Sequence, residues 1–178
     1  MPLKKKNTVY LICGILFIIS FLFFPVASYS LGLEVNPGKI HLTGVPLGSQ
    51  VDISGFTKEP ASLQITNKGD MPSDYVISVL RTSETTAPLP AGYTDIPDTS
   101  WIIPQAREAR VEAKQTKDVA LYINIPDKRA YAGKKYQAII EVKSKKNKPQ
   151  NLFVLACQLQ LTFKTKTQES GWLGRWFK

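Results

Sequence analysis

Residues 101–142 decide the fold, and they read WIIPQAREARVEAKQTKDVALYINIPDKRAYAGKKYQAIIEV. Apolar residues recur at every second position in blocks of this stretch, and Pro104, Pro126 and Gly133 stand between the blocks. A period of two is the pattern of a half-buried strand, and proline and glycine end strands and form turns. The stretch therefore predicts consecutive strands of an all-β protein.

The same alternation continues on both sides of this stretch, in short blocks at 31–35, 39–42, 51–53, 62–66, 75–80 and 152–164. Residues 31–164 are thus predicted to form a single β-sandwich of about eight or nine strands. The blocks at 62–66 and 75–80 flank a short polar turn, so we expect them to form a hairpin. Residues 144–151 are predicted to be a basic hairpin loop before the last strand.

The first 30 residues differ from the rest of the chain. Lys4, Lys5 and Lys6 precede an apolar run at 9–27, which is the pattern of a secretory signal peptide. Small residues beyond Pro25 favour cleavage after Ser28 or Ser30. The alternative is an uncleaved membrane anchor over residues 9–27. Either interpretation predicts an exported protein of the periplasm or cell surface.

The net charge bears on the kind of partner, and the cysteine content bears on disulfide formation. The chain has a formal net charge of +9, and removal of the three N-terminal lysines would lower it by three. A basic exported domain can bind an anionic cell-wall polymer or lipid headgroups, although the same charge also serves solubility. Export argues against a nucleic-acid partner. Cys157 is predicted to be a buried core thiol, with an intermolecular bridge as the alternative.

The sequence predicts neither an enzyme nor a cofactor or metal site. His41 is the only histidine, it alternates with apolar neighbours, and no nucleophile elbow accompanies it. We therefore expect it to be an exposed or edge-strand residue. One histidine and one cysteine in the mature chain cannot supply a zinc site, and the carboxylates are too dispersed to nominate a catalytic pair.

Two segments are candidates for partner binding. The first is the long irregular loop at 82–100 with Tyr93 and the adjoining Trp101, whose rings could stack on a partner; the alternative is a structural crossover between sheets, with Trp101 packed beneath the loop as an anchor. The second is the tail at 165–178, which could lie in a lipid interface or dock on a partner, or be a disordered terminus. Its candidate residues are Trp172, Arg175, Trp176, Phe177 and Lys178.

The order of motifs in 101–142 resembles bacterial immunoglobulin-like envelope modules. Trp-Ile, then Ile-x-Ile-Pro ending at Pro126, then Ala-Gly-x-x-Tyr ending at Tyr136 is similar to the domains of WxL-interacting cell-surface proteins and to the wider group of periplasmic pilus chaperones. The resemblance implies an immunoglobulin-like sandwich in which the strands at 119–125 and 136–142 are neighbours. It also implies a non-catalytic envelope interaction module that binds an envelope protein. Two alternatives are a chaperone-like module that works by strand addition and a cell-wall glycan-binding domain.

Overall fold

The computed structural model describes residues 32–56, 62–145 and 154–167, in which the chain forms twelve strands joined by turns and short 3-10 helices. The strands are, in chain order, β1 (Leu33–Asn36), β2 (Lys39–Val45), β3 (Gln50–Asp52), β4 (Leu63–Asn67), β5 (Ser73–Leu80), β6 (Thr94–Asp95), β7 (Ile102–Pro104), β8 (Glu108–Val111), β9 (Thr116–Val119), β10 (Leu121–Asn124), β11 (Lys135–Ser144) and β12 (Ala156–Thr165). The all-β prediction is confirmed. The strands outnumber the predicted eight or nine because several have only two to four residues.

The strands form three sheets. The largest has the order β2-β12-β11-β5-β8, with β6 pairing in parallel beside β11. The other two have the orders β1-β4-β9 and β3-β10-β7. The inward side chains of all three sheets share one hydrophobic core, which includes Leu42, Ile65, Ile123 and Phe163. The chain is therefore a sandwich with one core, as the alternation in the sequence indicates.

The predicted hairpin of residues 62–66 and 75–80 is wrong. β4 pairs with β1 and β9, whereas β5 pairs with β11 and β8 in the largest sheet. Asn67 holds the connection between the two sheets: it is buried, its Nδ2 donates to the carbonyls of Met71 and Val111, and its Oδ1 accepts from Gly69 N–H. A turn closed by a buried amide arches from one sheet to the other, so its flanking strands do not pair.

The predicted continuous strand at 119–125 is interrupted at Ala120. The carbonyl of Ala120 accepts from Gln105 N–H at 2.8 Å, and its N–H donates to Gln105 Oε1 at 3.4 Å. Both backbone groups of Ala120 are therefore bonded to Gln105, and the chain changes sheets at this residue. β9 pairs with β4 before it, and β10 pairs with β3 and β7 after it. The expectation that the strands at 119–125 and 136–142 are neighbours is also wrong, because β11 lies between β12 and β5.

The largest sheet ends in β2 on one side and β8 on the other. The chain reaches β2 from β1 through the cis Asn36–Pro37 peptide bond. His41 lies on β2 and is exposed, which confirms the prediction of an edge-strand histidine. In residues 32–56, 62–145 and 154–167, no helix has the length and apolar character that a membrane crossing requires.

Candidate functional site

The 82–100 loop is a crossover that joins β5 in the largest sheet to β7 in the sheet of β10. It contains a 3-10 helix at Thr82–Glu84, the short strand β6 and a second 3-10 helix at Thr99–Trp101. Gln137 of β11 is fully buried beneath it, and its Nε2 donates to the carbonyl of Pro88 at 3.2 Å. The loop thus covers part of the face of β11 that lies opposite the hydrophobic core.

Asp95 organises this loop. Its Oδ1 accepts from Thr82 N–H at 2.7 Å and from Ile96 N–H at 3.1 Å, while its Oδ2 accepts from Ser83 N–H at 3.0 Å and Ser83 O–H at 2.6 Å. Burial is the largest single influence and opposes ionisation, but the hydrogen bonds from Ser83, Thr82 and Ile96 together hold the pKa of Asp95 below its usual range. The carboxylate therefore ties the two ends of the loop together.

Tyr93 is half-buried at the surface edge of the loop. The Nζ of Lys135 lies 5.6 Å from the centre of its ring, and the ring of His41 meets it edge-on with centroids 6.4 Å apart. His41 Nδ1 in turn lies 3.0 Å from Thr162 Oγ1. Tyr93 is thus part of a surface cluster with a cation and an imidazole, a placement that leaves its predicted role in partner binding open.

Trp101 lies in the core, with 3% of its surface exposed. Its ring packs edge-on against Tyr131 at 4.8 Å and against Tyr136 at 5.5 Å between centroids. An indole in this position anchors the end of the loop and presents no face to a partner. The structure therefore corrects the interpretation of Trp101 as a stacking surface and favours the alternative of an anchor.

The remaining candidates lie outside the described residues. These are the predicted signal or anchor segment at 1–30 and the tail residues Trp172, Arg175, Trp176, Phe177 and Lys178. Most of the basic loop at 144–151 also lies outside them, although β11 and β12 pair in antiparallel register from Lys143 and Ala156 onwards, as a hairpin requires. Of the predicted tail at 165–178, only residues 165–167 are described, and Thr165 is the last residue of β12.

A groove of about 520 Å³ lies beside β5 at Val76 to Val79. No pattern in the sequence indicates it. β8 pairs with β5 only as far as Val76, and one further bond joins Ile77 N–H to the carbonyl of Arg107. Beyond that point the backbone of Val79 faces away from β11, because alternate residues of a strand point their amide groups to opposite sides. In the described part of the chain, no strand pairs with Val79 on that side.

The opposite wall of the groove is β7 with the 3-10 helix before it. β7 is the last strand of its own sheet, and Ile103 is 36% exposed. Two sheet edges therefore border the same groove, with apolar side chains on both walls and Arg107 and Glu108 among the residues that line it. No sequence signal marks this site, because it depends on where β8 stops pairing.

Histidine and cysteine each occur once in the described residues. His41 contacts a threonine and a tyrosine, and within residues 32–56, 62–145 and 154–167 no three His, Cys, Asp or Glu side chains come together as a metal site. Cys157 is half-buried rather than in the core, and its Sγ donates to the carbonyl of Leu33 at 3.4 Å. Burial, and to a lesser extent Glu34, raise the pKa of this thiol, which makes it a poor nucleophile.

Solved structures with a similar fold include PapD-like domains. Its structure is similar to the ASH/PapD-like domain 7 of human CEP192, with a TM-score of 0.51 and 14% sequence identity over 77% of this chain and 87% of that one. At this identity the similarity shows the fold alone. No family model matches the sequence, and no curated protein matches it.

Fimbrial chaperones are also among the similar structures. The class 5 fimbriae chaperone CfaA has a TM-score of 0.49 and 11% identity, and the E. coli chaperone DraB has a TM-score of 0.46 and 13% identity. Each match covers 77% of this chain, which spans 57% of CfaA and 56% of DraB. The chain thus corresponds to little more than half the length of either chaperone.

Proposed function

We propose that this protein is an exported, non-catalytic interaction module of the cell envelope that binds a partner protein by strand addition along β5. The observation that carries the proposal is the open edge of β5 at Val79, beside the groove shared with β7. An exposed sheet edge with adjacent pockets is the site at which an extended peptide adds a strand.

The groove also specifies the chemistry of the partner segment. The open part of β5 is Ser78 to Leu80, because Ile77 N–H is still bonded to Arg107, so it has room for about three residues of an added strand, or about 10 Å at the rise of an antiparallel strand. Ile77 and Val79 point into the sandwich, and Ile102 and Ile103 line the other wall. We infer that the partner contributes a short extended segment with apolar residues at alternate positions. Hydrogen bonds to Val79 would supply affinity and the apolar walls specificity.

Three elements of the proposal come from the sequence. The segment at 1–30 directs export, either as a cleaved signal or as an anchor over residues 9–27. Tyr93 and the tail residues Trp172, Arg175, Trp176, Phe177 and Lys178 extend the contact with an envelope partner. The resemblance of residues 101–142 to WxL-interacting domains supports such a module. The most specific form of the proposal is a pilus-chaperone-like role on exported subunits.

Site-specific crosslinking in the native host tests the proposal. The full-length chain carries a photoreactive residue in place of Arg107, beside the groove, and a matched version carries it in place of Met71, which is 51% exposed in the turn between β4 and β5. We expect an adduct with an exported protein from position 107 and none from position 71. Equal adducts at both positions would contradict a groove-specific contact.

Two substitutions test whether the crosslinked adduct from position 107 depends on strand addition to β5. Val79→Pro removes the N–H that faces the groove at a position whose N–H makes no bond to β11, and it also changes a partly buried side chain, whereas Ile103→Glu places a charge on the opposite wall at an exposed position. Each variant should abolish the adduct from position 107, provided that its circular dichroism spectrum and melting transition remain those of a folded sandwich. Persistence of the adduct in a folded Ile103→Glu variant would refute the proposal.

A further inference from the structure

Six cations gather at the end of the sandwich where β11 begins and β12 ends. Lys135 is the first residue of β11 and stands directly opposite Lys164, Lys134 precedes it, and the N–H of Gly133 donates to the carbonyl of Lys166 at 3.2 Å. The 3-10 helix before β11 packs at the same end, because the carbonyl of its Tyr131 accepts from Thr165 Oγ1 at 2.6 Å. We call this group the basic end; its members are Lys128, Arg129, Lys134, Lys135, Lys164 and Lys166, and all six are exposed.

The ion pairs of the described residues lie elsewhere. In residues 32–56, 62–145 and 154–167, the cations in ion pairs are Lys68, Arg110, Lys114, Lys143 and Lys145, and none belongs to the basic end. These pairs gather at the other end, where β11 finishes and β12 starts. The described chain therefore separates its charge into an ion-paired end and a basic end.

The arrangement within the basic end is unfavourable without an anion. Like charges directly opposite on neighbouring strands destabilise a sheet, and Lys135 and Lys164 are such a pair. Two tyrosines lie under the cations, with Lys128 Nζ 5.9 Å from the ring of Tyr131 and Lys135 Nζ 5.6 Å from that of Tyr93. Among the described residues, the carboxylates of the adjoining segments are Asp127, next to Lys128 in the chain, and Asp95, whose oxygens accept bonds from Thr82, Ser83 and Ile96. Among the described residues, no ion pair neutralises the cations of the basic end, so they can attract an anionic ligand.

We propose that the basic end binds a linear phosphodiester polymer of the cell envelope. Several exposed lysines on adjacent strands suit a chain of regularly spaced phosphates, because each ammonium acts as a point charge toward a phosphate and binding releases the counterions of the polymer. The assignment of the polymer to the envelope rests on the proposed export. The surface itself is separate from the β5 groove.

Fluorescence anisotropy with labelled poly(glycerol phosphate) tests the inference on the full-length chain in a non-ionic detergent. The variant Lys135→Gln/Lys164→Gln/Lys166→Gln removes three cations from the basic end. The control Lys68→Gln/Lys114→Gln/Lys145→Gln removes three from the ion-paired end and has the same net charge. We expect the first variant to weaken binding at least tenfold and the control to change it less than twofold. Equal losses in both would show a response to net charge alone and overturn the inference.

Salt dependence and competition give two further readouts. The slope of log affinity against log salt should fall by about two to three units in the basic-end variant, as expected when about three phosphate contacts are lost. Unlabelled polymer should displace the label, whereas glycerol 1-phosphate at the same phosphate concentration should not. Displacement of equal strength by mixed micelles containing phosphatidylglycerol would overturn the assignment to a polymer in favour of a lipid surface. Val79→Pro should bind the polymer normally, so this inference and the proposed function can fail independently.

Discussion

At the scale of single residues, a few polar side chains determine how the chain passes between sheets. Buried Asn67 closes the turn between β4 and β5, Gln105 occupies the backbone of Ala120, and Asp95 gathers the ends of the 82–100 loop. Each uses side-chain groups to bond backbone groups at the places where the chain leaves a strand. Buried backbone groups need such partners, which explains why polar residues occur at these positions among apolar strands.

Asp95→Asn should destabilise the fold by about 1 kcal/mol at neutral pH, because a neutral amide is a weaker acceptor for the bonds from Thr82 and Ser83. The pKa of Asp95 is lower in the folded protein than in the unfolded chain, so its contribution is present above the ordinary aspartate pKa of about 4 and is lost as the pH falls through the lower folded value. Urea unfolding at pH 6 and pH 3 measures this. The wild type should lose more stability on acidification than Asp95→Asn does.

The matched control for this experiment is Asp127→Asn, which changes an exposed carboxylate in the turn after β10. We expect little change in the free energy of unfolding at either pH. A variant at position 95 with the wild-type acid dependence would show that its hydrogen bonds contribute nothing to stability.

At the scale of elements, the lengths of neighbouring strands determine which edges are open. β5 has eight residues, but β8 has four and pairs with its first half. Beyond Ile77, whose N–H still bonds Arg107, β5 therefore has one paired side and one open side. Open edges are sites of unwanted association unless they are short or covered, and this one is short and recessed beside β7.

Amide hydrogen exchange followed by NMR tests the open edge without a partner. The N–H of Val79 faces the groove, whereas those of Ser78 and Leu80 face β11. We expect Val79 to exchange at least tenfold faster than both neighbours under native conditions. Equal protection of all three amides would mean that the edge of β5 is covered in solution.

At the scale of the whole molecule, charge separation is the main feature. Ion pairs occupy one end of the sandwich, and the six cations of the basic end occupy the other. Repulsion among these cations costs folding free energy, which is characteristic of a surface maintained for binding rather than for stability.

Lys164→Glu should therefore stabilise the protein by about 0.2–1 kcal/mol at low salt, because it converts a like-charge pair with Lys135 into an attractive one. The gain should shrink in high salt as the charges are screened. Thermal unfolding at low and high salt measures both effects. Lys39→Glu, which faces Gln160 on the same sheet, serves as the control and should give a smaller change. A loss of stability in Lys164→Glu would contradict repulsion at this end.

Much of the fold could be predicted from the sequence, and less of the candidate sites. The alternation in 101–142 predicts strands because burial on one face of a strand depends only on residues two apart, and the exposed edge position of His41 is also confirmed. The hairpin at 62–66 and 75–80 and the continuous strand at 119–125 are wrong. In each case a side chain elsewhere, or one within the turn, redirects the backbone between sheets, and a local pattern cannot show this.

The candidate sites divide in the same way. The sequence makes both Tyr93 and Trp101 candidates for partner binding. Only the packing shows that Tyr93 is a surface ring and Trp101 a core anchor. The basic end is present in the sequence as the dispersed pairs Lys128 and Arg129, Lys134 and Lys135, and Lys164 and Lys166. Their convergence depends on the register between β11 and β12, which lie many residues apart in the chain.

The sequence by itself determined that this chain is an all-β sandwich, because a period of two buries one face of every strand regardless of its neighbours. Only the tertiary structure decided which strands share a sheet, where β5 remains open and at which end the six cations of the basic end meet. These properties arise from contacts between residues distant in sequence, and such contacts depend on the free energy of the whole packed arrangement rather than on any single segment.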